Sequence, residues 1–178
     1  MTLRNTSRRK FIAGSTVAVA GLASAPAVRA DGPFSKDFPF EIQRTKDEWR
    51  ALLTDEEYNV LREGWTEPRH SSELINETRP GLYHCKGSDL AVYSHVNKVQ
   101  LDIGWVFFRH SIPDSVMLGI DGPPPELNDA GMLRQDDESL VEVHCRRSGS
   151  HLGHMVVIKG EILHCINGIA LEFVPDAA

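Results

Sequence analysis

The chain has 178 residues, with 19 Lys and Arg against 25 Asp and Glu and a formal charge of −6. An acidic chain has no electrostatic case for nucleic acid or an anionic membrane surface as its partner. Its length suits one domain of ordinary size with a real hydrophobic core.

The N-terminus reads Thr6-Ser7-Arg8-Arg9-Lys10-Phe11, followed by an apolar, small-residue run from Ile12 to Ala25. Val28-Arg29-Ala30 then has the small residues of a cleavage site. Adjacent arginines before a moderate apolar core predict a twin-arginine export signal over residues 1–30, with the mature protein in the periplasm or outside the cell. The apolar run is too short, and too rich in Gly and Ala, to span a membrane. Removing the segment would leave 14 Lys and Arg against the same 25 Asp and Glu, a formal charge of −11.

Residues 31–44 lack periodicity and read as a linker or extended arm, so the domain is expected over 45–178. Thr45 with Glu48, and Thr54 with Glu57, each have the spacing of a capping box and predict two short helices. Trp49, Leu52 and Leu53 would form the apolar face of the first; Tyr58, Val60 and Leu61 follow in the second, and Gly64 is its expected stop. From Pro80 the pattern changes to short strands: Gly81 to Cys85, Leu90 to Tyr93, Trp105 to Phe108 and Val116 to Ile120. Gly122-Pro123-Pro124-Pro125 opens an acidic stretch to about Glu138 that reads as an exposed insertion. Val141, Val143 and Cys145 alternate with Glu142 and His144 as a half-buried strand, and Ile169, Leu171 and Phe173 alternate in the last one. The fold class expected is α+β, mostly β, with antiparallel strands after the helices.

The chemistry-bearing residues gather between His144 and Asn167, where two of the three cysteines and four of the eight histidines lie. This stretch reads as strand, turn, strand. His151 and His154 fall in a loop-like HLGH segment, and Cys165 sits late in the second apolar run. A hairpin would return the histidine pair to the side of Cys165, and a thiol needs a neighbour that favours its thiolate before it attacks. A cysteine in an apolar run is ordinarily an inert hydrophobe, and an H-x-x-H pair is often two unrelated histidines. The residues by themselves leave both readings open. Three cysteines also leave one unpaired in an exported protein.

The order of motifs resembles the B-type methionine-R-sulfoxide reductases. The residues that carry the likeness are Glu48-Trp49-Arg50-Ala51-Leu52-Leu53-Thr54, Tyr58, Leu61-Arg62, Thr66-Glu67-Pro68, Ser72-Glu73-Leu74 and Gly81-Leu82-Tyr83-His84-Cys85. Gly104-Trp105, His151-Leu152-Gly153-His154 and Cys165-Ile166-Asn167 complete it, and the last two are the specific part. The resemblance implies two antiparallel sheets with N-terminal helices, and Cys165 as nucleophile. It implies His151, His154 and Asn167 as the groups that hold and polarise the sulfoxide, and Trp105 as the wall against its methyl group. The thiolate would attack sulfur, the oxygen would be protonated to leave as water, and a cysteine sulfenic acid would remain for an outside thiol, such as a thioredoxin-like protein, to reduce. No cofactor is implied.

The chain departs from the family pattern at several places. Ser88 and Ser148 stand where the second cysteines of two zinc-binding C-x-x-C pairs are usual, so a four-sulfur zinc site is excluded and no metal is expected. The resemblance places the remaining Cys85 and Cys145 close together and implies a disulfide between them in an oxidising compartment. Val106-Phe107 replaces Pro-Ser, Leu163 replaces an Arg, Val156 replaces a Phe, and Ile103 occupies the position of a resolving cysteine. These changes support a second reading, a binding or structural descendant that kept the fold and lost efficient catalysis. A transition-metal site built from His151, His154 and Cys165 is a third.

Overall fold

The computed structural model describes residues 38–120 and 141–177. The export segment and the insertion expected over residues 122–138 lie outside them. Both capping boxes form. Thr45 accepts from the Glu48 amide at 3.3 Å while Glu48 accepts from the Thr45 amide at 2.7 Å, which starts α1 (Lys46–Leu52). Thr54 and Glu57 do the same at 3.2 and 3.0 Å for α2 (Asp55–Glu63). Each box satisfies two amides that the first turn cannot pair internally. Gly64 ends α2 in the left-handed region at φ 74°. Trp49 is buried as expected, but Leu52, assigned to the same face, is 54% exposed because α1 is too short to cover it.

Residues 38–44 run without regular structure and dock on the loop at 146–149. Ile42 donates to the Arg147 carbonyl at 2.9 Å, and Glu41 pairs with the Arg147 guanidinium at 3.3 Å.

Nine strands follow among the described residues: β1 (Gly81–Cys85), β2 (Leu90–Ser94), β3 (Lys98–Val99), β4 (Val106–Phe108), β5 (Val116–Ile120), β6 (Val141–Cys145), β7 (His151–Ile158), β8 (Glu161–Ile166) and β9 (Leu171–Pro175). They form two antiparallel sheets, as the resemblance implied: a three-stranded one in the order β2-β1-β9 and a six-stranded one in the order β3-β4-β8-β7-β6-β5. Tyr83 and Tyr93 from the first sheet pack on Phe108 from the second, with ring centroids 5.0 and 4.2 Å away. All three are fully buried and tie the sheets together. Ile169, expected in the last strand, instead lies in a 3₁₀ turn, Gly168–Ala170.

The HLGH segment is not a loop. It opens β7, and the reversal comes later at Lys159 and Gly160, which both have positive φ (51° and 84°). Two left-handed residues in a two-residue connection give the turn that suits the twist of an antiparallel hairpin.

Candidate active site

The six-stranded sheet assembles the site. Antiparallel pairing sets His154 of β7 opposite Cys165 of β8, and Glu142 of β6 opposite His154. Directly paired residues present their side chains to the same face of a sheet. Glu142, His154 and Cys165 therefore form one row. A bulge between Val143 and His144 shifts the register by one, so that His151 is paired with His144. Gly153 lets β7 close on β8 here: a Cβ on it would lie 2.1 Å from the Cys165 carbonyl oxygen.

Cys165 is partly exposed at a pocket of about 170 Å³ walled by Thr66, Trp105, Gly153, His154, Val156 and Asn167. Trp105 is fixed from behind, its indole N–H donating to the Glu67 carbonyl at 3.2 Å and its ring lying 4.9 Å from the Arg69 guanidinium. Asn167 is buried. It accepts from the Glu67 amide at 3.0 Å and donates to the Leu152 carbonyl at 3.1 Å. An amide nitrogen carries two hydrogens, so one donor of Asn167 is still available to a ligand.

His151 sits one layer behind His154, their ring centroids 5.1 Å apart, and is 2% exposed. Its Nδ1 is hydrogen-bonded to the Glu142 carboxylate, whose other oxygen lies 2.8 Å from His144 Nε2. Burial opposes ionisation of Glu142, but the hydrogen bonds to His144 and His151 outweigh it and hold its carboxyl at about 2. Glu142 is thus an anion at neutral pH and anchors the His151 ring through Nδ1. The Nε2 of His151 is buried with no hydrogen-bond partner among the described residues. Ligand atoms of Glu142, His144 and His151 lie within 4.8 Å of one another, a grouping able to hold a cation. It differs from the His151, His154 and Cys165 set of the third reading.

Glu142, His144 and Glu67 carry structural roles that the sequence pattern did not single out. Glu142 and His144 read as the wet face of a half-buried strand, yet both are under 10% exposed, at 8% and 7%. Glu67 is 4% exposed and accepts from the Gly168 and Ile169 amides at 2.6 and 2.9 Å, while its own backbone binds Asn167 and Trp105. Burial pushes its carboxyl above the usual range against the pull of those amides. The only signal for Glu67 was its place in the family likeness, because its partners lie from 38 to 102 residues away.

The electrostatics of Cys165 run against expectation. Burial, and then the nearby Glu67, push its thiol from 9.0 up to about 11, so the histidines do not hold a resting thiolate. The thiolate fraction at pH 7 falls about 100-fold, offset in part by the greater nucleophilicity of a more basic sulfur. Iodoacetamide should therefore modify Cys165 on the order of tenfold more slowly at pH 7 than an unperturbed cysteine, and the rate should still be rising past about pH 10. A profile that levels off near pH 7 would show a resting thiolate after all.

Cys85 of β1 and Cys145 of β6 meet in a second, buried cluster between the sheets. Both are free thiols in this structure. Ser88 Oγ lies 3.1 Å from Cys145 Sγ, and Ser148 Oγ lies 4.0 Å from Cys85 Sγ. The neighbouring Cys85 favours the thiolate at Cys145, while Cys145 and then burial push the Cys85 thiol up. Two thiols and two neutral hydroxyls, one of them already 2.9 Å from Ser150 Oγ, do not match the ligand set of a closed structural zinc site.

A family model described as the SelR domain matches residues 53–175. The chain is 30% identical to the peptide methionine sulfoxide reductase B3 of Arabidopsis thaliana over 165 residues, covering 89% of this chain and 80% of the relative. It is 35% identical to the peptide methionine sulfoxide reductase MsrB of Pseudomonas putida over 141 residues, covering 76% and 97%. A relative of the same name from Leifsonia xyli subsp. xyli is 33% identical over 143 residues, covering 77% and 94%.

Proposed function

The chain belongs to the SelR-domain family, and from that premise we propose that it reduces methionine-R-sulfoxide to methionine with Cys165 as the attacking sulfur. The observation that carries this assignment is the cross-strand placement of His154 opposite Cys165 at a pocket walled by Trp105.

The resting thiol is protonated, so its proton is available to the reaction. Cys165 Sγ bonds to the sulfoxide sulfur, and the thiol proton passes through His154 to the sulfoxide oxygen. A second proton, drawn from solvent, lets the oxygen leave as water as the S–O bond breaks; water then displaces the thioether from the cysteine sulfur and gives that proton back. The net change is thiol plus sulfoxide to sulfenic acid plus thioether. The cysteine sulfur loses two electrons and the substrate sulfur gains them. Asn167 has a donor to spare for the sulfoxide oxygen, and Trp105 gives the methyl group an apolar wall. His151, fixed by Glu142, orients His154 from behind. Two external thiols return the sulfenic acid to thiol and release water, and a thioredoxin-like protein is the donor we assign. The test is turnover of each sulfoxide diastereomer with dithiothreitol as donor. The R form should be consumed and the S form left; consumption of neither would sink the proposal.

The twin-arginine segment directs the protein to the periplasm or beyond, where Cys85 and Cys145 form a disulfide. The two lie in one buried cluster, Cys85 beside Ser148 and Cys145 beside Ser88, and thiol–disulfide exchange with a protein oxidant would take up the two electrons and two protons. The bond would close a loop of about 60 residues and contribute on the order of 4 kcal/mol by the chain-entropy account. Protein isolated from the periplasm and denatured without reductant should show one free thiol, at Cys165. Three free thiols would mean that the pair stays reduced.

A further inference from the structure

Beside the catalytic pocket lies a much larger groove of about 1010 Å³, which the reaction itself does not use. Thr66 lines both, so the two spaces adjoin across that residue. The groove runs between the helices, the 65–74 segment and the 168–172 segment. Its apolar surface includes two side chains with no core to cover them, Leu52 at 54% and Trp65 at 61% exposure.

The charges around it are one-sided. Glu56, Glu57, Glu67, Glu73 and Glu172 line it, against the single cation Lys86. Lys86 is taken by Glu57 at 2.5 Å, and Glu67 by the Gly168 and Ile169 amides. Glu56, Glu73 and Glu172 are exposed and have no ion-pair partner among the described residues. Three unneutralised carboxylates around an apolar surface favour a cationic ligand with apolar side chains.

We infer that this groove seats the polypeptide on either side of an oxidised methionine, and that it selects segments with lysine or arginine next to that methionine. The inference rests on the reductase reading, since the methionine sulfoxide side chain would pass beside Thr66 into the Cys165 pocket while the flanking chain lies over Trp65 and Leu52. Free methionine sulfoxide would use the small pocket only.

Three substrates test this: N-acetylmethionine-R-sulfoxide, and two hexapeptides carrying methionine-R-sulfoxide flanked by lysines or by glutamates. The wild-type protein should prefer the lysine peptide by about tenfold in kcat/KM at low salt, with the preference shrinking as salt rises. Glu56→Lys with Glu73→Lys should remove the preference through KM and leave the N-acetyl substrate unchanged. Equal turnover of both peptides by the wild type, or a double variant that also loses the N-acetyl substrate, would overturn the inference. If no substrate is reduced, the reductase reading fails, and docking is then judged on binding alone. Fluorescence anisotropy of the labelled lysine peptide with Cys165→Ser protein should show salt-sensitive binding, weakened by the two lysine substitutions. Binding indifferent to charge would overturn the inference there too.

Discussion

Cys165→Ser should bring reduction of methionine-R-sulfoxide to the uncatalysed background while leaving the fold intact. Serine is nearly isosteric with cysteine, and the partly exposed position adds no cavity or buried orphan of consequence. What is lost is the only sulfur among the described residues that line the pocket. A hydroxyl is a far weaker nucleophile toward sulfur, and it cannot form the sulfenic acid that receives the oxygen. The check is product formation with dithiothreitol as donor, alongside circular dichroism to confirm folding. A dimedone adduct on Cys165 in the wild type, absent from the variant, would locate the oxidised sulfur directly. Turnover by Cys165→Ser at the wild-type rate would move the chemistry elsewhere, and neither remaining cysteine reaches this pocket.

His154→Ala should lower kcat/KM by about 10²–10⁴-fold, the range typical of a lost general acid–base group. The thiol at Cys165 sits near 11, so without an adjacent base the attack must begin from a vanishing thiolate fraction. The same imidazole then has to return the proton to the departing oxygen. Free imidazole added to the variant should restore part of the rate, a result that a purely structural histidine would not give. Glu142→Gln tests the layer behind it. Gln cannot carry the negative charge that fixes the His151 tautomer, so the pH–rate profile should move while KM changes little.

The two helices were readable because a capping box is a local device, complete within four residues. Most strands were readable to within a residue or two for the same reason, since alternation is local, but the two-residue β3 was too short to show any and was not expected. HLGH misled because Gly153 and the adjoining register shift interrupt the alternation that marks a strand, although the interruption is itself what brings β7 onto Cys165. Glu142 and His144 could not be placed, since polar residues alternating with apolar ones read as a solvated face. Only the tertiary pairing of three titratable groups makes their burial tolerable. Glu67 depends on partners at positions 167 to 169, and no window of sequence contains both ends of that contact.

The pairing of β1 with β9 sets Gly81 against Pro175 and Cys85 against Leu171. The central strand of the smaller sheet thus waits for a neighbour some ninety positions later in the chain, a loop closure whose entropy must be met before the contact rewards it. Glu67, which orients Trp105 and Asn167, depends on the turn just before that neighbour. A chain synthesised only as far as β8 would have neither a closed small sheet nor a finished pocket. Catalytic competence in this molecule therefore waits until β9 has been made and paired.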